Sequence, residues 1–424
     1  MRVLLISANT EKINMPTLPM GLGCVAAAVM DAGHDMRFLD LMAVDDWQAL
    51  LGNALTAFAP EVIGISIRNI DDQDSLNPRF LLREAREVVS FCKTIVNVPV
   101  VLGGAGYSIF PESVLDYTGA DMGIQGEGET AFTALLSCLA SDNALTNVPG
   151  LYIRGQGLQT SRIFCPELDR LPLPDPALFD NRLAENPAYF LPVQTRRGCP
   201  LRCSYCSTSA IEGTRIRKRS PERVVDALAR WRAAGFRRIF FVDNVFNLPP
   251  GYAQALCEHI SAAGLDLNWR CILYPGQVTE ELVQAMARAG CREVSLGFES
   301  GFQPLLDAMH KRFRTADIRD ASRRLADHGI RRTGFLLLGG PGETRASVET
   351  SLGFADSLGL ETVKLTVGIR IYPHTELARI AVREGVIGAD TNLLQPCFYI
   401  APDLDAWLWE TVRAWMAERP HWII

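Results

Sequence analysis

The chain has 424 residues, 48% of them hydrophobic and 21% charged, with a net charge of −6. That length and apolar content exclude a disordered chain and predict two or three domains of roughly 100–200 residues, while the mild acidity removes any global pull toward nucleic acid or anionic membrane. Eleven cysteines, odd in number and sparse, exclude a disulfide scaffold. The opening run MRVLLISAN reads as a strand and not as a basic-then-apolar leader. No stretch approaches the ~18 continuous apolar residues of a membrane span. The expectation is a cytoplasmic protein with reduced thiols, no nucleic-acid partner and no membrane span.

Apolar runs at Val3–Ile6, Met36–Leu39, Val62–Ile67, Val98–Leu102 and Met122–Ile124 predict buried strands. Helical patterns separate them at Leu22–Ala32, Trp47–Phe58, Arg79–Val96 and Glu112–Tyr117. Such alternation predicts a parallel sheet with helices on both faces, an α/β domain of flavodoxin/Rossmann-like type over 1–150. Ligands of this fold sit outside the carboxyl ends of the strands. Charge supports a boundary there: residues 1–150 carry 8 Lys+Arg against 18 Asp+Glu, the remainder 34 against 30.

Residues 151–190 predict a hairpin turning at Gly155–Gly157, then a proline-punctuated linker. Strand-like runs resume at Pro192–Thr195, Arg238–Val242, Leu267–Ile272, Glu293–Leu296, Thr333–Leu338 and Thr362–Ile369. Ser220, Pro221 and Glu222 form a helix start between the first two. Six β/α units over 191–380 predict a partial (β/α)6 TIM-like barrel with its site at the strands' carboxyl ends. Residues 381–424 form a short helical appendage. Within it Trp407, Thr411 and Trp415 fall at i, i+4, i+8 and predict a stripe packed on the barrel.

Directly after the first barrel strand stands TRRGCPLRCSYCST, which places Cys199, Cys203 and Cys206 within eight residues. Thiolates are soft ligands suited to zinc or iron–sulfur clusters. A structural zinc site needs a fourth ligand close by, and no His or Cys lies between 207 and 256. Three ligands for a four-iron cube leave one iron open for a substrate or cofactor. Arg196, Arg197 and Arg202 bring positive charge that favours thiolates.

Cys199, Cys203 and Cys206, with the aromatic Tyr205 before the third, resemble the signature of the radical S-adenosylmethionine (SAM) superfamily. The resemblance implies a [4Fe-4S] cluster on the three cysteines, whose open iron chelates SAM. An electron from the cluster then cleaves SAM to methionine and a 5′-deoxyadenosyl radical. It further implies SAM-binding roles for Tyr205; for Asp243 in FFVDNVF after the second strand; for Glu299 and Ser300 in SLGFESG after the fourth; for Gly339, Gly340 and Pro341 in GFLLLGGPGET after the fifth; and for Tyr372 in RIYPHTEL after the sixth. His374 stands where that family leads one to expect glycine. Each smaller motif also has a plain structural reading: a carboxylate at a strand end caps loops, and Gly-Pro-Gly makes turns.

The first domain resembles the cobalamin-binding domain found ahead of many radical SAM barrels, through VLLISAN with PTLPMGLGCVAAAVMDAGH, then VVLGGAGYSIFPE and DMGIQGEGE. The resemblance implies cobalamin contacts from the loops after strands 1, 3, 4 and 5: Asn9, Pro16 and Pro19; Ser66, Arg68 and Asn69; Gly103, Gly104 and Gly106; Gly126, Glu127 and Gly128. The glycines of the third group would let the chain pass close to the corrin's nucleotide tail. The first loop has no His, so the cobalamin is expected base-off, without a His ligand, and His34 lies before strand 2 on the opposite edge. The polar IRNIDDQDS loop (67–75) serves equally as a solvated surface loop, and Tyr399 is a candidate cap over the cleft.

Together these resemblances imply cobalamin lying between the two domains. They imply methylation of an unactivated carbon of a small-molecule substrate through methylcobalamin, with an external electron donor such as flavodoxin or ferredoxin. A radical cyclisation, oxidation or rearrangement on the same scaffold, radical chemistry without cobalamin, and a non-catalytic cobalamin sensor remain the alternatives.

Overall fold

A computed structural model describes residues 1–9, 17–42, 44–141 and 143–424. The chain divides into two compact units: Met1–Asp72 with Pro78–Tyr189 and Ala210–Gly213, and Gln73–Asn77 with Phe190–Ser209 and Thr214–Ile424.

The first unit is built on β1 (Arg2–Ser7), β2 (Asp35–Asp40), β3 (Val62–Ser66), β4 (Val100–Gly103), β5 (Met122–Ile124), β6 (Leu151–Ile153) and β7 (Gly157–Leu158). They lie in the order β2-β1-β3-β4-β5-β6-β7. The first five are parallel, and β1 sits between β2 and β3, with Val3 opposite Met36 and Val62. This is the flavodoxin-like order, whose switch point falls between β1 and β3. Val3 to Ile6 are fully buried because helices cover both faces, which is why the strands read as unbroken apolar runs. Leu22, Ala26 and Val29 of the helix Met20–Asp31 pack with Phe132, Leu135 and Leu136 of the helix Gly128–Ser141 against Val3 and Leu5. The predicted hairpin does more than precede a linker: β6 pairs antiparallel with β5, and β7 with β6, so it extends the sheet.

The second unit holds β8 (Leu191–Val193), β9 (Arg196–Arg197), β10 (Arg217–Lys218), β11 (Arg238–Phe241), β12 (Asn268–Leu273), β13 (Cys291–Glu299), β14 (Arg331–Leu338), β15 (Thr362–Val367), β16 (Ile369–Arg370), β17 (Phe398–Tyr399) and β18 (Trp422–Ile423). The main sheet runs β18-β15-β14-β13-β12-β11-β8, all parallel. On one face Trp269, Cys271, Leu273, Val294, Leu296, Phe298, Val363 and Leu365 are buried under the helices. The alternate residues Arg270, Ser295, Gly297, Glu299, Thr333 and Phe335 are only half-buried and form the barrel's inner face.

Three expectations are corrected. The appendage is not purely helical, because β18 pairs with β15 and adds a seventh parallel strand. The stripe of its helix Asp405–Ala417 is centred one residue away from the tryptophans: Leu408 and Val412 are buried, while Trp407, Thr411 and Trp415 are half-buried flanks. Tyr399 caps no cleft. It is fully buried in β17, and its hydroxyl donates to the Glu384 carboxylate.

Candidate active site

The cysteine loop is pinned at both ends by backbone pairing. β9, just before Cys199, pairs antiparallel with β10. Inside the loop the Cys206 N–H donates to the Cys203 carbonyl at 3.2 Å. The Ser204 N–H donates to the Met309 carbonyl at 3.3 Å, and the Ser204 carbonyl accepts from the Leu377 N–H at 2.9 Å. Arg202 takes φ +53 to make the turn, and its carbonyl lies 3.2 Å from His310 Nδ1. None of the three cysteines is in a disulfide, and all three are half-buried. Among the described residues no three His, Cys, Asp or Glu side chains converge on a single ion. A cube's thiolates bind separate irons and stand farther apart than ligands of one ion, so three cysteines outside any disulfide on one hydrogen-bonded loop fit a cluster.

Lys311 is a site residue the sequence did not single out. It follows the short helix Gln303–Ala308, and its side chain is only 6% exposed. Nζ donates to the Tyr205 hydroxyl at 3.1 Å and to Glu299 Oε1 at 3.2 Å. Burial pushes the Cys203 thiol up, and the nearby Lys311 ammonium pulls against it. Glu299 ends β13 three residues beyond the predicted strand end, with φ +66 in the left-handed region. Such a conformation in a non-glycine costs of order 1–3 kcal/mol and marks a constrained site.

Asp243 differs from expectation. It is fully buried, with Oδ1 accepting from the Thr195 and Arg196 N–H groups at 2.7 and 3.0 Å and Oδ2 accepting from Thr195 Oγ1 at 2.6 Å. Arg196 Nε lies 3.3 Å from Oδ2. Asp243 therefore supports the segment that enters the cysteine loop. Ser300 is likewise buried. Its hydroxyl meets Ser351 Oγ at 2.9 Å and accepts from the Phe302 N–H at 3.0 Å, which caps the loop before the next helix. Both are strand-end polar groups claimed by neighbouring backbone.

Gly339, with φ +93, and Gly340 begin the turn that contains Pro341. Their N–H groups both point at Glu343 Oε2, at 3.0 Å from Gly340. Glu343 is 4% exposed, and its Oε1 is buried without a partner. Burial pushes its pKa up to about 7, against the pull of the two N–H groups. A carboxyl with a folded pKa above its unfolded value of 4.5 contributes stability in full below pH 4.5 and loses it as pH rises through about 7. Glu343→Gln keeps an acceptor for the two amides and cannot ionise. Urea unfolding at pH 4.5 to 8 is expected to show the variant gaining about 3 kcal/mol on the wild type across that window.

Tyr372 is buried, with the Arg370 guanidinium 5.2 Å from its ring centroid. His374 adopts φ +61, a conformation that favours the glycine expected there.

In the first unit Ala8, Asn9, Ile67, Arg68, Asn69, Leu81 and Ala85 line a small depression at the carboxyl ends of β1 and β3. Asn9 is buried, Arg68 exposed, and Pro19, Ser66 and Asn69 half-buried. Pro16 lies outside the described residues. Gly104 and Gly106 have a reason internal to the protein. At Gly104, with φ +100, a Cβ would stand 2.5 Å from the Ile67 carbonyl oxygen, and at Gly106 3.0 Å from that of Arg68. Gly103 has no such crowding. They let the turn after β4 press on the chain after β3. The Gly126 N–H donates to Ser108 Oγ at 3.0 Å, Glu127 Oε2 accepts from the Cys165 N–H at 2.7 Å, and Gly128 opens the helix Gly128–Ser141.

Residues 193–355 match the model of the radical SAM superfamily, and residues 6–136 that of the B12 binding domain. The cysteine loop and the glycine-bearing edge thus fall within a radical SAM domain and a cobalamin-binding domain on one chain. The protein belongs to the cobalamin-binding radical SAM enzymes. Its relatives include an uncharacterised methyltransferase of Pyrococcus horikoshii, 27% identical over 91% of this chain and 84% of the relative. Another is the tryptophan 2-C-methyltransferase of Streptomyces laurentii, 26% identical over 88% of this chain and 73% of the relative. In fold the chain resembles the radical SAM methyltransferase TsrM of Kitasatospora setae, solved with cobalamin and a [4Fe-4S] cluster. The TM-score is 0.81 at 24% identity, over 92% of this chain and 76% of that one. Among the described residues no helix is long and apolar enough to cross a membrane.

Proposed function

We propose that this enzyme transfers a methyl group from SAM to a carbon of a small-molecule substrate by way of cobalamin, with radical cleavage of a second SAM. The observation that carries the proposal is the occurrence of a pinned three-thiol loop and a B12 binding domain in one chain whose relatives are methyltransferases. When bound, the cluster supplies the electron that cleaves SAM, and the corrin supplies a methyl carrier.

The residues hold and orient. Cys199, Cys203 and Cys206 would ligate the cluster. Tyr205 and Glu299, joined through Lys311, are assigned to SAM, as is the turn Gly339–Pro341 shaped by Glu343. Tyr372, which follows the sixth barrel strand, is assigned to SAM as well. Asn9, Arg68 and Asn69, which line one depression, would hold cobalamin, expected base-off because the loop after β1 offers no His. A one-electron donor such as flavodoxin or ferredoxin is the partner this chemistry requires.

Anaerobically reconstituted protein incubated with methyl-labelled SAM is expected to retain label in its corrin fraction and to form S-adenosylhomocysteine in equal amount. A second reading, radical ring closure, is favoured by the matches to anaerobic magnesium-protoporphyrin IX monomethyl ester cyclases, 23% identical over 77% of this chain in the Synechocystis enzyme. It predicts 5′-deoxyadenosine without S-adenosylhomocysteine. That result, with no label on the corrin, would sink methyl transfer.

A further inference from the structure

Lys311 combines features that packing alone does not require. Burying an ammonium costs several kcal/mol unless it is paired and fully hydrogen-bonded, and a methionine would fill the same space without that cost. The chain turns sharply just before it, with His310 at φ +59 and the Lys311 N–H donating to the Leu306 carbonyl at 2.8 Å. That turn sends the side chain inward, where Nζ meets both Tyr205, which sits between the second and third cysteines, and Glu299, the strained last residue of β13. Two costly arrangements, a buried cation and a left-handed glutamate, therefore meet at one hydrogen-bonded pair beside the thiols. Burial works against the ammonium, yet Glu299, Tyr205 and Cys203 outweigh it and hold the group well above the usual lysine range.

A cluster on three thiolates gains a negative charge when it accepts an electron. A fixed cation next to one of those thiolates stabilises the reduced form more than the oxidised one, and burial keeps solvent from screening it. We propose that Lys311 is a positioning residue of the cluster site, a buried cation that holds Tyr205 and Glu299 in place and raises the reduction potential of the cluster carried by Cys199, Cys203 and Cys206. The proposal rests on the cluster assignment but not on methyl transfer.

The test uses the full chain, reconstituted anaerobically with iron and sulfide, without SAM, and titrated potentiometrically with EPR detection of the reduced cluster. Lys311→Met is expected to keep the wild-type iron content and to titrate at a more negative midpoint. Lys311→Arg, which restores the charge, is expected to return toward wild type. A Lys311→Met midpoint equal to wild type overturns the proposal. If Lys311→Met does not retain its cluster, Glu299→Gln decides. Removing the counter-charge while keeping the lysine is expected to move the midpoint positive, and an unchanged or more negative value overturns the proposal. Wild-type protein that takes up no iron fails the cluster assignment itself, a result read before any variant is made.

Discussion

Cys203→Ala is expected to leave a folded protein that can neither hold a stable [4Fe-4S] cluster nor cleave SAM. The thiol is half-buried on a loop whose shape comes from other groups, namely the β9–β10 pairing and the backbone bonds of Ser204 to Met309 and Leu377. Removing one sulfur therefore costs little stability, but it takes away one of three ligands. Loss of an outer-shell partner alone lowers metal-site affinity or activity 10–100-fold, so loss of a direct ligand should exceed about 100-fold. Iron content after anaerobic reconstitution and 5′-deoxyadenosine formation measure the effect. Circular dichroism should be unchanged. A variant with full iron and normal SAM cleavage would remove Cys203 from the cluster.

The second large effect is on stability. Asp243→Ala takes the acceptor away from two backbone N–H groups and the Thr195 hydroxyl, and leaves the Arg196 guanidinium, 2% exposed, without its carboxylate. Arg196 stays trapped, because its Nη1 also donates to the Leu248 carbonyl at 2.9 Å and its guanidinium lies 4.5 Å from the Tyr252 ring centroid. Breaking one side of a buried ion pair costs about 3–5 kcal/mol, a large part of the 5–15 kcal/mol that typically separates folded from unfolded chains. Urea unfolding of the variant should show that loss. Because Thr195 and Arg196 lead into Cys199, iron retention should fall with it. Asp243→Asn, which keeps one acceptor oxygen but turns an NH2 group toward other donors, should fall between. A loss below 1 kcal/mol for Asp243→Ala would instead mean that the carboxylate is free for a ligand.

Parts of the site were legible because their determinants are local. The ligand spacing of Cys199, Cys203 and Cys206 is contained in eight residues, and no distant contact is needed to recognise it. Buried parallel strands such as Val3–Ser7 and Leu336–Leu338 announce themselves as apolar runs, because both faces are covered. Lys311 was not legible, since its partner Tyr205 is 106 residues away in sequence and a lysine in the basic HKRFR run after a helix reads as a solvated charge. Glu343 was not legible for a related reason. Its buried position and its two amide partners follow from the fold of the turn, and the sequence shows only an acidic residue after Gly-Pro-Gly.

Asp243 and Ser300 show the opposite case. A polar residue at a strand end is written the same way whether it serves a ligand or orphaned backbone donors, and here the backbone donors claim both. The two-residue β18 carries no periodicity of its own and exists only because β15 leaves an edge to pair with.

What the sequence determined by itself is therefore the chemistry that local spacing can encode: a three-thiolate loop after a strand, two successive α/β units, and a first loop without histidine. What only the tertiary structure decided is which charged groups are taken out of water and by whom they are held. Burial and pairing depend on residues brought together from distant parts of the chain. That assigned Lys311 to the cysteine loop, Glu343 to the glycine turn, and Asp243 to the protein itself.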